Sequence, residues 1–580
     1  SKSQEATRWL YFIVMVYALI SRRLFFPRAR LSFQVYFSPF TCNTSVSSQF
    51  IIEKRMISHL TDYVGLPVTA SNQKTVDLLE EAAFQYAGMR GNPVETLNEA
   101  LKLEKDECAL GHCMVGIMMC IATCVPPESE QISGRLAKAR DLIHAQGADA
   151  LPREELYCKA LENLSQGQWK SAAAALEAHL ASAPHDLMAI RMLHDIYILT
   201  GDSKNIRDSI GRVLPSWSSG IPGYHFIMGM YAFGLEEMGE YRKAEDNALL
   251  AINMNRQDVW AHHALAHVFE MEGRANEGAS WLKEVNEEWE EGNLLTSHMA
   301  WHHALFYLDQ GNYNACLRIF GTYLEHADSA PGEVASFPLT DSASLLWRLS
   351  LCQALPEDNT AELWESVLRL FRPFIGQHLS AFNDIHIMMC LASLASEQFE
   401  KQAQYLEEAE SFLASMEEYV SKYEAKEQQK TATDIEISEY SFPLSTPFPG
   451  QLYSKAPANV WVTKYLGLPA CQALLAFTKG DFTTATQLLL SRRQHFQLLG
   501  SSHAQRDFLD WTLIESCLRG EQTKMASVLL AERTMQKGGN AQSWVRYATV
   551  LDDLGNATAA EQARMTAYQL GLGQAGKGAH

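Results

Sequence analysis

The chain is 580 residues long and 47% hydrophobic, with 48 basic against 68 acidic residues for a net charge of −20. That length holds two or more compact domains or one elongated array, and the acidic balance argues against a broad phosphate-binding or anionic-membrane surface, so nucleic acid is not an expected partner. The eleven cysteines form no CxxC and sit mostly in apolar stretches such as HCMVGIMMCIATC (112–124). They read as buried reduced thiols of a cytoplasmic protein rather than as a disulfide scaffold.

Residues 1–55 differ in kind from the rest of the chain. No acidic residue lies between Glu5 and Glu53, while Arg8, Arg22, Arg23, Arg28 and Arg30 make the segment basic. Its apolar run WLYFIVMVYALI (9–20) is shorter than the roughly 17–25 residues a membrane span needs. The segment is expected to be a presequence-like or non-native extension outside the main fold, and no membrane span is expected. Ordinary globular composition begins at Met56.

From about Ser71, a plausible N-cap, the pattern is helical almost without interruption. TVDLLEEAAFQYAG, VETLNEALKLE and GRLAKARDLIHAQG place apolar residues at i, i+3, i+4 and i+7 between short turns. No run of alternating strand residues stands out. A glycine followed two residues later by an aromatic, then by a small residue, recurs at Gly167-Gln-Trp169, Gly239-Glu-Tyr241 and Gly311-Asn-Tyr313, with weaker copies at Gly201 and Gly273. The marks at 167, 201, 239, 273 and 311 are 34, 38, 34 and 38 residues apart. After a gap they return at Gly480-Asp-Phe482, and more loosely at Gly520 and Gly555. A helix, a tight turn using glycine's backbone freedom, and a second helix make one unit of that length.

This period and these residue types resemble the tetratricopeptide repeat. The resemblance implies an all-α solenoid of helix pairs, open or curled around an inner pocket, whose concave side is lined by the first helix of each pair. LASAPHDLMAIRMLHDIYILTG, GMYAFGLEEMGEYRKAE, WAHHALAHVFEMEGR, HMAWHHALFYLDQGNYNACL, FNDIHIMMC, GLPACQALLAFTKGD and AQRDFLDWTLI together resemble the tetratricopeptide repeat protein thirty-eight family. That family brings no well-established activity with it.

The expected organisation is an extension at 1–55, helical repeats at 56–424, a mobile loop at 425–457, further repeats at 458–573 and a tail at 574–580. The stretch HADSAPGEVASFPLTDSAS within 326–357 reads as a turn-rich insertion before another helix.

The candidate site comes from the repeat frame. With each turn glycine as position 15, positions 2, 5, 9 and 12 of the first helix face the groove in the repeat family. His263, His267 and Glu270 then occupy 5, 9 and 12. His298 and Trp301 occupy 2 and 5 of the next unit, with His302 adjacent. Arg191 and Asp195 occupy 5 and 9 of an earlier unit, and Phe226 and Phe233 occupy 2 and 9 of another. Asn383, Asp384 and His386, and Arg506 between Gln505 and Asp507, are polar interruptions of apolar helices that would line the far end of the groove.

Three uses of this wall stay open. Two HxxxH pairs on neighbouring helices, with Glu270 as ligand or general base, could hold a zinc, iron or manganese ion and hydrolyse a substrate. Imidazole, Arg191 and aromatic rings could instead bind a peptide, a protein partner or a small acidic ligand without metal. The histidines could also simply satisfy one another and nearby carboxylates. A ligand- or protein-binding repeat protein with a His-rich concave groove is the leading expectation, and a metal-dependent hydrolase is the alternative. No phosphate loop or GxSxG elbow is present.

Overall fold

The computed structural model describes residues 59–572 except 124, 128, 293–294, 327–328, 331–333, 397–398 and 431–457. The expected extension at 1–55, most of the expected loop at 425–457 and the tail at 574–580 lie outside the described residues. Helix follows helix from Gln73 onward, and the fold is the all-α superhelix of tetratricopeptide type that the period implies. The inner wall uses α1 (Gln73–Ala87), α2 (Leu187–Leu199), α3 (Tyr224–Glu237), α4 (Val259–Glu272), α5 (Leu295–Asp309), α6 (Ser336–Leu351), α7 (Ala381–Leu394) and α8 (His503–Arg519). Successive members from α3 to α7 pack side by side, and α8 returns to lie against both α4 and α6.

Four local expectations change. A short hairpin precedes the helices: β1 (His59–Thr61) pairs antiparallel with β2 (Pro67–Thr69), Leu60 opposite Val68. Three-residue strands are too short to display alternation, which is why the pattern shows none. The cap of α1 is Asn72 rather than Ser71: the Asn72 side chain accepts from the Thr75 N–H, whereas the Ser71 N–H donates to the Glu104 carboxylate. The supposed turn-rich SFPLTDSAS is helical from Ser336. Pro338 falls in the first turn, where its missing N–H is not needed, and the Ser342 hydroxyl is absorbed by the Leu324 and Pro338 carbonyls. At Gly520 the left-handed residue is displaced by one, to Glu521 at φ 57°.

The other turn glycines of the repeat, at 167, 201, 239, 273, 311, 480 and 555, all have positive φ. Two of them do more than turn the chain. A Cβ on Gly201 would stand 1.8 Å from the Gln497 carbonyl oxygen, and one on Gly273 would stand 2.6 Å from the Asn540 nitrogen. At these two seams the mid-chain repeats touch C-terminal loops backbone to backbone, so the superhelix closes on itself.

Packing fills what the closure encloses. Trp301 and Trp347 are at most 1% exposed, and complete burial of a large apolar side chain contributes about 1.5–3 kcal/mol. The Trp347 indole donates to Thr512 Oγ1 on α8 at 2.8 Å, and Arg348 donates to the Ala504 carbonyl at 2.7 Å. The stretch Ala458–Thr478 is the one helix among the described residues long and apolar enough to cross a membrane. Most of it is buried inside the fold, packed on α7 and on Phe482–Leu490. The nine described cysteines are free, eight of them buried.

Candidate metal centre

The α4 helix is set by its ends and its composition. The Asp258 carboxylate caps it by accepting from the Ala261 N–H at 3.0 Å, and Gly273 ends it at φ 73°. Between them every residue from Val259 to Glu270 is buried, as expected of a helix that is largely apolar on all sides. His263 and His267, four residues apart, therefore lie one above the other on a buried face. The neighbouring α5 repeats the arrangement with His298 and His302.

The two pairs converge. One potential ligand atom from each of His263, His267, His298 and His302 lies within 4.8 Å of the other three. The Nε2 atoms of His267 and His298 stand 2.9 and 3.0 Å from the Nε2 of His263. All four side chains are at most 3% exposed. Aromatic rings wall them in: Phe233 stacks on His263 at 5.3 Å between centroids, Trp260 lies 4.7 Å from it, and Trp301 stacks on His298 at 5.2 Å.

Behind the imidazoles stand carboxylates. His298 Nδ1–H donates to Asp341 Oδ2 at 2.8 Å, which leaves a lone pair on its Nε2. His302 Nδ1 faces Glu270 Oε2 at 3.4 Å, and His267 Nδ1 faces Glu236 Oε2 at 3.7 Å. These carboxylates are tied to later parts of the chain. Gln505 Nε2 donates to Asp341 Oδ1 at 3.3 Å, and Lys537 Nζ reaches Glu270 Oε1 at 3.2 Å. Arg506 Nη2 lies 3.5 Å from Glu237, the neighbour of Glu236. Of the four imidazoles only His298 has a carboxylate hydrogen-bonded to its far nitrogen, an arrangement that fixes the ring and raises the basicity of the near nitrogen, the usual support for a metal-bound histidine.

Burial first, and then the neighbouring histidines, hold His263, His267 and His302 well below the ordinary imidazole range, so they are neutral at pH 7. Neutral imidazole is the form that binds metal. Glu236 is pushed well above the carboxylate range, chiefly by burial and then by Glu237 and Glu270. Both Glu236 oxygens, His263 Nδ1 and both nitrogens of His302 lack a hydrogen-bond partner. Each unpaired buried polar atom costs about 1–3 kcal/mol, and several meet at this cluster.

The remaining predicted residues distribute around this centre. Glu270 is behind His302 rather than among the four converging donors. Phe233 and Trp301 form its walls. Arg191 is one ring further out, 3.9 Å over Trp260 and paired with Asp195, which also accepts from Tyr86. Phe226 packs on Phe84. Asn383 donates to Ser336, and Asp384 pairs with His378 at 3.2 Å. Arg506 reaches the inner wall, as the curl of the superhelix requires. The wall itself is enclosed rather than an open groove, because α8 and the two seams cover it.

His386 is a structural histidine, donating from Nδ1 to the Phe382 carbonyl at 2.7 Å and touching Phe508. Burial pushes it down to about 3. Above pH 6.5 it is neutral folded or unfolded and contributes nothing. Below that, the unfolded chain takes a proton that the folded one refuses. Stability should therefore fall by about 1.4 kcal/mol per pH unit on its account. In urea unfolding between pH 6 and 4, His386→Gln should show a pH slope shallower than wild type by that amount.

Three positions around this centre escape the sequence reading. Glu236 occupies position 12 of its own helix, as Glu270 does, so completing the frame finds it. Asp341 lies in the stretch read as turns, and Lys537 in a stretch with no repeat signal.

No family model matches the chain. Among solved structures it is similar to the human IFIT1 dimer with m7Gppp-AAAA, at 12% identity and a TM-score of 0.35, covering 87% of this chain and 96% of that one. A monomeric IFIT1 mutant with Gppp-AAAA gives 11% identity and the same TM-score and coverage. A likeness of this grade carries nothing about a ligand for this chain.

Proposed function

We propose that this protein is a metal-binding repeat protein, its four-histidine centre enclosed by the superhelix. The convergence of four buried imidazoles, one of them hydrogen-bonded to the Asp341 carboxylate, supports this reading. An ion at their common centre would replace the His263–His267 and His263–His298 contacts with bonds to nitrogen lone pairs and would give His302 Nε2 a partner. His263, His267, His298 and His302 would be its ligands, and Asp341, Glu270 and Glu236 would orient them. The resemblance to the tetratricopeptide repeat protein thirty-eight family belongs to the same reading, since the stretches that carry it include both HxxxH pairs.

Two other uses of the wall find less support. A peptide-binding groove needs an open concave face, and this one is covered. A hydrolase using Glu270 as base needs that carboxylate beside the ion, whereas Glu270 stands behind His302 and is engaged by Lys537.

Elemental analysis of purified protein should find one first-row metal ion per chain, and a chelator should lower the melting temperature. Asp341→Asn, which spoils the partner of His298, should weaken binding by roughly 10–100-fold. Protein that carries no ion, and that zinc, iron and manganese all fail to stabilise, would overturn the proposal.

A further inference from the structure

The last two residues of α3, Glu236 and Glu237, put two carboxylates together at a helix C-terminus, the end whose dipole already favours cations. Both are buried, Glu236 completely. Glu237 has company: the His503 N–H donates to its Oε1 at 2.8 Å, Ser203 Oγ donates to its Oε2 at 3.2 Å, and Arg506 Nη2 stands 3.5 Å from the same oxygen. Glu236 has none. Neither of its oxygens meets a hydrogen-bond partner, and Lys537, the other cation acting on it, is occupied by Glu270 and Asp507. As a carboxylate Glu236 is a buried charge facing a neutral imidazole. As an acid it is a buried O–H without an acceptor.

That imidazole is His267, whose Nδ1 lies 3.7 Å from Glu236 Oε2 and also lacks a partner. The gap is too long for a hydrogen bond, but two donors each about 2.1 Å from one ion can lie up to about 4.2 Å apart. One potential ligand atom from each of Glu236, Glu237 and His267 lies within 4.8 Å of the other two. Beside them His503 turns a buried, unpartnered Nδ1 to 3.8 Å from Glu237 Oε2, while its side chain as a whole is 32% exposed. This corner is therefore nearer the surface than the four histidines. The opposite nitrogen of His267, Nε2, meets His263 in the four-histidine set.

We propose that Glu236, Glu237 and His267 Nδ1 hold a second divalent cation, and that the His267 ring bridges it to the ion of the four-histidine centre. The inference rests on the assignment of that centre as a metal site. Carboxylate oxygen together with imidazole nitrogen is a donor set that zinc and other first-row divalent ions accept. A neutral imidazole carries one ring proton, so bonding both nitrogens of His267 releases that proton to the buffer, as it does any proton on Glu236. No electron moves. Ser203 and Arg506 keep their hold on Glu237, so the second ion binds more weakly than the first. It fills its place when ion is supplied in excess, and the protein as purified carries the first alone.

Two measurements on the full chain test this. Equilibrium dialysis against excess zinc should raise the count from one ion to two per chain, and Glu236→Gln, which keeps the side chain's shape but not its charge, should stop at one. One ion in both wild type and variant overturns this inference and leaves the four-histidine centre standing. Two in both also overturns it, the extra ion then lying elsewhere. Protein that binds none overturns both readings. The second measurement needs no variant: wild type loaded with two equivalents of copper(II) should give far less paramagnetic resonance than two isolated ions, because spins on either side of one imidazole couple through it. Full intensity from both ions overturns the bridge.

Discussion

His263→Ala should abolish stoichiometric metal retention and the response of the melting temperature to a chelator. His263 is the hub of the cluster: its Nε2 is within 3.0 Å of two partners, and its ring lies 4.5, 4.9 and 5.3 Å from those of His267, His298 and His302. Removing it takes away one donor and leaves a void among rings that are already fully buried. An ion present at about a thousand times its dissociation constant stabilises a fold by about 4 kcal/mol. Wild type should lose roughly that much on chelation, and the variant nothing. Circular dichroism separates this result from general unfolding, because a folded variant retains the helical signal of wild type. A folded variant that still held one ion per chain would refute the assignment of His263 as a ligand.

Gly273→Ala should open the seam over the centre while leaving every ligand in place. The residue sits at φ 73°, where a side chain costs about 1–2 kcal/mol. Its new Cβ would meet only backbone: Asn540 N and Gly539 C at 2.6 Å, and Gly539 Cα at 2.7 Å. Backbone cannot swing aside as a flexible side chain does, so the two loops must part. The expected loss of stability is about 2–5 kcal/mol, the strain and overpacking terms together. Stopped-flow transfer of the ion to a chelator should be faster than in wild type at unchanged stoichiometry. An unchanged release rate would mean that the seam does not gate the site.

Much of the fold and of the centre is legible in the residues. Glycines at intervals of 34 and 38 mark the repeat because a left-handed turn tolerates little else, and the two HxxxH pairs show their common face through the helical period alone. The frame places Arg191, Phe233 and Trp301 on the same wall without any three-dimensional information. What stays hidden depends on closure. Nothing local to Gly201 or Gly273 says that a loop some 260–300 residues later will rest on it, and Lys537 acquires its partner Glu270 only when the array curls back. Hydroxyl-rich SFPLTDSAS reads as a loop because its hydroxyls favour turns, and only the carbonyls that absorb them in α6 reverse that preference. The short hairpin is hidden for the opposite reason, having too few residues to carry a period.

The order of the chain gives the centre a history as well as a shape. All four histidines are made by residue 302, but α8, which seals them, begins at His503. At synthesis rates of about 5–20 residues per second, roughly ten to forty seconds separate ligands from lid. During that interval an ion of the proposed centre would meet the nascent repeats from an open side. Afterwards it must wait for a seam to part, the event that Gly273→Ala is designed to hasten. On the proposed reading, the metal carried by the finished protein would be decided by what surrounds the ribosome as much as by the relative affinities of the folded site.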